Sequence, residues 1–379
     1  MAMARLVKCC ALFAVIFGIA LIVVSILGFK LFPKVVSSKV EEKIALHKDS
    51  DAFGRWAKLT VPMYMKFYFF DVLNVDEVLN GLSQPIVAQK GPYVFRETRE
   101  KTDIDVDEVD ATITYQLVKG FYFVPEMSVG PLNDTVTVVD VTTATLVRKA
   151  EMSFFSFGAL PMLNKLFAEV NKKAFQTFTI EELIYGHSIA PVKALDEKFQ
   201  AFGLNILKDV PKKFGLLYDT IFCYSHVVSP QKNLTADGVW IIDSGIRNIN
   251  NLQKVLSWKD QTVLNKWKSP YCNMINGTDG SRFHPNVQPT DVLRAFTPDI
   301  CRSITLSYEQ KSEVEGIKTL RFRLPEKFWA APNKEPDNKC FCSSNDDNIC
   351  DMHGIMDISK CRKGAPVFIS GPHFFKGDQ

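Results

Sequence analysis

From Cys9 to Phe29 the chain reads CCALFAVIFGIALIVVSILGF, 21 residues without a charge. At ~1.5 Å per residue a helix of that length spans the ~30 Å hydrocarbon core of a bilayer. Arg5 and Lys8 precede the run, and Lys30 and Lys34 follow it. A cleaved signal peptide shares the basic start, but its apolar centre is about 7–15 residues long and closes on a small-residue cleavage site. Here Ser25-Ile26-Leu27-Gly28 runs into Phe29 and Lys30, a weak site. The pattern predicts an uncleaved transmembrane helix over 9–29, preceded by a cytoplasmic stub of residues 1–8. Cys9 and Cys10, at the cytoplasmic edge, are palmitoylation candidates or simply apolar residues.

The flanking charges are nearly symmetric and leave orientation open. Three sequons then decide it: Asn133-Asp-Thr, Asn233-Leu-Thr and Asn276-Gly-Thr. Together with the cysteines they place residues 30–379 in a lumen or outside the cell. The third sequon sits in Cys272–Gly280, CNMINGTDG, which also has a second parse as a phosphate-cradling Gly-Thr-Asp-Gly loop. That parse needs a strand before the loop and a helix after it. Arg282-Phe-His-Pro285 opens no helix, so the stretch reads as a turn presenting Asn276.

Seven cysteines follow the apolar run: Cys223, Cys272, Cys301, Cys340, Cys342, Cys350 and Cys361. Six fall within 272–361, the pattern of a local disulfide framework in an oxidising compartment. Zinc is the rival, since Cys340, Cys342, Cys350 and Cys361 supply four thiolates. The paired Cys-x-x-Cys knuckles of structural zinc sites are missing, and export disfavours free thiolates. Six cysteines allow 15 pairings. Cys340 and Cys342 are too close to be natural partners, and Cys342 with Cys350 would close a short polar loop. Cys223 reads as a buried free thiol.

The balance of 45 Lys+Arg against 42 Asp+Glu leaves a net charge of +3 with no long basic run, which makes nucleic acid a poor partner. The 29 Phe suit an ordinary core or the lining of an apolar cavity. No nucleophile elbow, phosphate loop or His-Glu-x-x-His motif is present, and the six histidines (47, 187, 226, 284, 353 and 373) share no ligand spacing. The reading is therefore no enzyme, no cofactor and no metal, with no catalytic role for the Asp279 region.

Residues 31–55 read as a polar helical stalk. Strands are predicted at 86–88 and 93–95, either side of a Gly91-Pro92 turn, and at 111–115, 118–124 and 135–139. Leu163, Leu166, Phe167, Val170 and Ala174 then recur at helical spacing, with Pro161 at the start and Lys165, Glu169, Lys172 and Lys173 opposite. A second helix opens on the capping-box sequence Thr179-Ile-Glu-Glu182 and stops at Gly186. This is a helical insertion of about 151–205 in a β-rich body. Short strands resume at Asp237-Gly238, the clearest at 318–324.

Seven motifs resemble the class B scavenger receptor family: Gly91-Pro-Tyr-Val-Phe-Arg-Glu97, Glu182-Leu-Ile-Tyr-Gly186, Asp237-Gly238, Cys272–Gly280, Asp299-Ile-Cys-Arg-Ser303, Cys340-Phe-Cys342 and Pro372-His-Phe374. The likeness runs through nearly the whole chain in order. It implies an α+β fold: an antiparallel β-barrel-like ectodomain with an apical helical bundle and an internal apolar tunnel, anchored by the transmembrane helix. It further implies the pairings Cys272–Cys340, Cys301–Cys361 and Cys342–Cys350. Partners would be lipids or lipoproteins (fatty acids, sterols, anionic phospholipid) passed through the tunnel toward the membrane. Lys165, Lys172 and Lys173 become candidates for capturing anionic ligands; on spacing alone they are a solvated face, with Lys165 and Glu169 an i,i+4 pair. The plasma membrane is the implied location, with a lysosomal or endosomal cargo receptor, binding protein ligands through the apical helices, as the alternative. Family members continue beyond Pro372-His-Phe374 to a second transmembrane helix. The present sequence ends at Gln379, so a partial or single-pass form with an open sheet edge is expected.

Overall fold

The structure is a computed structural model that describes residues 2–151, 156–169, 171–188, 213–214, 234, 236–342, 347–362, 364–375 and 377. Its first element, α1 (Ala2–Ile44), carries the apolar run and most of the expected stalk in one helix of 43 residues. Pro33 is accommodated inside it. Among the described residues it is the one helix long and apolar enough to cross a membrane. Its apolar side chains from Ile16 to Phe32 are exposed, as a lipid-facing surface requires. The junction with the body is tight: Leu46 is fully buried, and its N–H donates to Ser244 O at 3.0 Å. A short helix, α2 (Asp51–Ala57), follows, its N-terminus capped by the Ser50 hydroxyl and its Trp56 buried.

The main sheet has strand order β1-β2-β3-β8-β9, all antiparallel: β1 (Met63–Val72), β2 (Val87–Asp107), β3 (Thr112–Phe123), β8 (Ala236–Asp243) and β9 (Val255–Trp258). The segment 111–115 and its continuation form one strand. Ile113, Tyr115 and Leu117 point to the core and alternate with half-exposed neighbours, as period-two burial demands. Between β1 and β2 lies a short helix, α3 (Val75–Leu79).

The expected turn at Gly91-Pro92 is instead a bulge inside the continuous strand β2. The register passes from Phe67↔Tyr93 to Phe69↔Lys90, so Gly91 and Pro92 together face Tyr68. Proline lacks the ladder donor and glycine supplies the unusual backbone, φ +139° at Gly91, so the pair suits a bulge. A Cβ at Gly91 would lie 2.6 Å from Phe67 O, which makes glycine obligatory there.

The β2–β3 hairpin tip at 107–111 lies beside the top of α1, since Ser244 N donates to Ala111 O. The other end of the sheet carries a two-stranded pair, β4 (Val-bearing Thr135–Val139) and β5 (Phe175–Thr179), tied down where Thr137 N donates to Asp71 at 2.8 Å. Between them run α4 (Val141–Glu151) and α5 (Ser156–Glu169). After β5, α6 (Ile180–Tyr185) has both hydrogen bonds of the capping box and ends on Gly186. A two-residue pair, β6 (His187–Ser188) and β7 (Lys213–Phe214), comes next. The rest of the helical insertion expected to about residue 205 lies outside the described residues.

The C-terminal half adds a sheet of β10 (Val292–Thr297), β11 (Arg302–Val314) and β12 (Ile317–Arg323), and a small pair, β13 (Ile355–Asp357) and β14 (Phe368–Ser370). One core joins both halves: Trp56, Tyr115, Trp240, Trp258, Phe296, Trp267 and Phe341 pack with Cys272, Cys301 and Cys361. A second aromatic core, with Phe69, Tyr93, Phe95, Phe121 and Phe178, lies under β4, β5 and α6. The chain is thus a mixed helix-and-sheet protein with antiparallel sheets and an N-terminal apolar helix.

Candidate functional site

Two regions gather the residues singled out by sequence. The first is the α4–α5 helical pair. Leu146 and Ala150 of α4 pack on Ala159, Leu163, Leu166 and Phe167 of α5, so the first three residues of the predicted stripe form a buried seam, while Val170 lies outside the described residues. Helix α5 begins before Pro161 and stops at Glu169. Asn171, at φ +50°, turns the chain in the left-handed region, and Lys172 N caps Phe167 O at 2.8 Å. Lys172 and Lys173 therefore leave the helix, and Ala174 is the residue before β5.

The three lysines part company here. Lys165 and Lys173 are exposed. Lys172 is turned inward, its side chain 7% exposed, and forms an ion pair with Asp140, which is 1% exposed. It also approaches Gln176 at 3.4 Å. Asp140 is committed as well: it accepts from Thr142 N, Thr143 N and Thr143 Oγ1 at the N-terminus of α4. Lys172, a ligand-capture candidate by sequence, is here engaged in a buried ion pair that holds the helix pair on the β4–β5 ladder.

The second region is the disulfide-tied face. Cys272 is bonded to Cys340, Cys301 to Cys361 and Cys342 to Cys350, with Cα–Cα separations of 6.1, 5.7 and 5.6 Å. Cys272–Gly280 is woven into the sheet: Thr278 N donates to Arg294 O, Phe296 N to Thr278 O and Val255 N to Gly277 O. Asp279 turns back on Ser281, which it meets at 2.6 Å. Beside this strip opens a cavity of about 400 Å³, walled by the outer face of β10–β11 and by the segment Pro336–Phe341.

Arg302 forms the floor of that cavity and is the residue that sequence reasoning missed. It is 8% exposed and its guanidinium lies 3.6 Å from the Phe341 ring centroid and 4.4 Å from that of Phe328. It donates to Asn338 Oδ1 at 2.9 Å and to Met356 Sδ at 3.1 Å, and no carboxylate lies within ion-pair reach among the described residues. Burial pulls its pKa down to about 10. Two aromatic faces and an amide replace the missing carboxylate. Its only sequence signal was its place in Asp299-Ile-Cys-Arg-Ser303.

Lys101 is a half-buried cation, lying 4.7 Å over the Trp56 ring and donating to Trp56 O at 3.0 Å. Burial lowers its pKa, while the Asp279 charge opposes that shift. Burial likewise raises the pKa of Asp237, whose carboxylate accepts from Trp240 Nε1 at 2.8 Å. Among the described residues no three His, Cys, Asp or Glu side chains converge as a metal set.

Of the sequons, Asn133 is exposed in the turn before β4, and Asn276 is half-buried at the cavity. Asn233 and Cys223 lie outside the described residues. Cys9 and Cys10 fall on α1.

The CD36 family model matches residues 15–379. The chain is similar to human (Homo sapiens) lysosome membrane protein 2, 31% identical over 375 residues, covering 98% of this chain and 72% of that protein. It is also similar to scavenger receptor class B member 1 of Rattus norvegicus, 30% identical over 363 residues, covering 96% of this chain and 66% of that protein. The mouse (Mus musculus) form of the latter is 30% identical over 367 residues.

Proposed function

The chain belongs to the CD36 family, and from that membership we propose that this membrane-anchored receptor binds lipids or lipoproteins through a luminal or extracellular body, residues 30–379. In this reading residues 1–8 are cytoplasmic, 9–29 span the membrane, and the antiparallel sheets close on a barrel-like core with an apolar tunnel under an apical helical bundle. Ligands include fatty acids, sterols and anionic phospholipid. The chain works by binding and release, with no covalent step.

The observation that carries the proposal is the disposition of charge and apolar surface along the sheet. Lys165 on α5 and Lys173 in the turn after it are exposed toward anionic ligand, whereas the membrane helix joins the body beside the opposite hairpin tip. Aromatic side chains of Phe67, Phe69, Phe95, Phe121 and Phe123 pack together in the intervening stretch. An acyl chain leaving water for such surroundings gains ~0.8 kcal/mol per buried methylene. The test is titration of a fluorescent fatty acid into the purified chain. Saturable binding that weakens in a Lys165→Glu, Lys173→Glu variant is expected; linear, unsaturable uptake overturns the proposal.

The likeness to lysosome membrane protein 2 favours a second reading, a lysosomal or endosomal cargo receptor taking a protein ligand on the same helices. Steady-state location separates the two. Lysosomal residence supports cargo binding, and residence at the plasma membrane supports lipid uptake. Asn133, Asn233 and Asn276 are proposed to carry N-glycans in either case.

A further inference from the structure

We propose that the 400 Å³ cavity beside the Cys272–Cys340 bond is the seat of the chain's own glycan, holding the first N-acetylglucosamine attached to Asn276. The inference rests on Asn276 being glycosylated and goes further by assigning the sugar a binding site.

The asparagine lines the cavity, and its position is fixed by the backbone rather than by its side chain. Its N–H donates to Ser303 Oγ at 2.8 Å, and Ser303 Oγ donates in turn to Met274 O at 2.9 Å. Gly277 presses the next peptide against β10, at φ +93° and with its Cβ position only 2.1 Å from Arg294 O. The residue thus cannot swing away from the opening. Its side-chain amide makes no hydrogen bond to the described protein and is left for the sugar.

The walls match that occupant. A pyranose ring offers a C–H face for stacking and a rim of hydroxyl and acetamido groups for hydrogen bonding. Along β11, Ser303, Thr305 and Ser307 line the cavity at every second residue, and Thr305 and Ser307 bring hydroxyls for the sugar. Tyr271 and Phe328 supply rings at its sides, and the Arg302 guanidinium lies on the floor. The volume lies at the low end of the ~300–1,000 Å³ usual for small-molecule sites, room for a monosaccharide. Covalent attachment delivers the sugar at the high effective concentration of a short tether. Because oligosaccharide is added to the unfolded chain, the cavity would close around a sugar already in place. Asn133, exposed in a turn, provides the internal comparison.

The test is native deglycosylation of the full chain, expressed in mammalian cells and held in mild detergent. Release by peptide N-glycosidase in ¹⁸O-water is followed site by site with mass spectrometry. Asn276 should be released at least about tenfold more slowly than Asn133 in the folded protein, equivalent to ~1.4 kcal/mol of seating, and at the same rate after reduction and denaturation. Thr305→Trp fills the cavity and should speed release at Asn276 by evicting the sugar. Mere crowding predicts the reverse. Tyr271→Ala, at an exposed ring, gives the same readout without altering β11, should the first variant fail to fold. Equal rates at both sites in the folded wild type overturn the proposal, as does acceleration by neither variant. An Asn276 unmodified before enzyme treatment overturns it through its premise and is recognised directly in the untreated peptide.

Discussion

Replacing Lys172 by Met would leave the Asp140 carboxylate buried without its countercharge. The two side chains are 7% and 1% exposed, so solvent screens their interaction little. Breaking one side of a buried pair costs about 3–5 kcal/mol. Three donors still face the carboxylate after the change, Thr142 N at 2.9 Å, Thr143 N at 3.4 Å and Thr143 Oγ1 at 3.0 Å. They place the expected loss near the lower end, at ~3 kcal/mol. Asp140→Asn keeps the helix-capping acceptor but leaves the ammonium unpaired, at a similar cost of about 3–5 kcal/mol. The double variant removes both charges and should be less destabilised than either single one. The assay is a double-mutant cycle by urea unfolding of the detergent-solubilised chain. Additive single effects, or a Lys172→Met loss below about 0.5 kcal/mol, would refute the assignment of Lys172 to structure.

Removing disulfides in Ser pairs should weaken the chain in order of loop length. The chain-entropy relation gives about 4 kcal/mol for Cys301–Cys361 and for Cys272–Cys340, with separations of 60 and 68, and about 2.5 kcal/mol for Cys342–Cys350, separated by 8. Denaturation midpoints of the three variants check the ranking. Tyr93 has its pKa raised to about 12 by burial and by its hydrogen bond to Asp134, above the ordinary 10. A raised pKa means the folded state holds the proton, so this contribution is complete below pH 10 and is lost as pH rises toward 12. Tyr93→Phe should therefore flatten the alkaline fall in stability over that window; an unchanged fall counts against it. Gly277→Ala forces a Cβ to 2.1 Å from Arg294 O at a positive φ, and is expected to cost more than ~2 kcal/mol and to hold the protein in the endoplasmic reticulum. Normal export of that variant would show that the strip can detach from β10.

The elements legible in sequence are those whose cause lies within a few residues. The charge-free run of 9–29 lies within one long apolar helix, α1, long and apolar enough to cross a membrane. Alternation marks β3, and Thr179 with Glu182 opens α6 by satisfying its own first N–H groups. The strand at 318–324 appears as β12 for the same local reason. Where a partner lies far along the chain, the pattern carries no trace of it. Helical spacing continued the α5 stripe to Ala174, but the chain turns at Asn171 and Lys172 finds Asp140 on another element. Gly91-Pro92 has the composition of a turn and becomes a bulge because β1 supplies a ladder on its other side. The cysteine spacing alone left 15 pairings, and the folded chain has the three that the family resemblance implied. Arg302 is the extreme case: any sequence rule places an arginine at the surface, and two aromatic rings brought from residues 328 and 341, with the Asn338 amide, make its burial tolerable. Sequence by itself determined the membrane anchor and the local elements, through contacts a helical turn or a strand repeat apart. Tertiary structure decided which lysine is buried in an ion pair and which cavity Asn276 faces, because those depend on groups that meet only when the chain has folded.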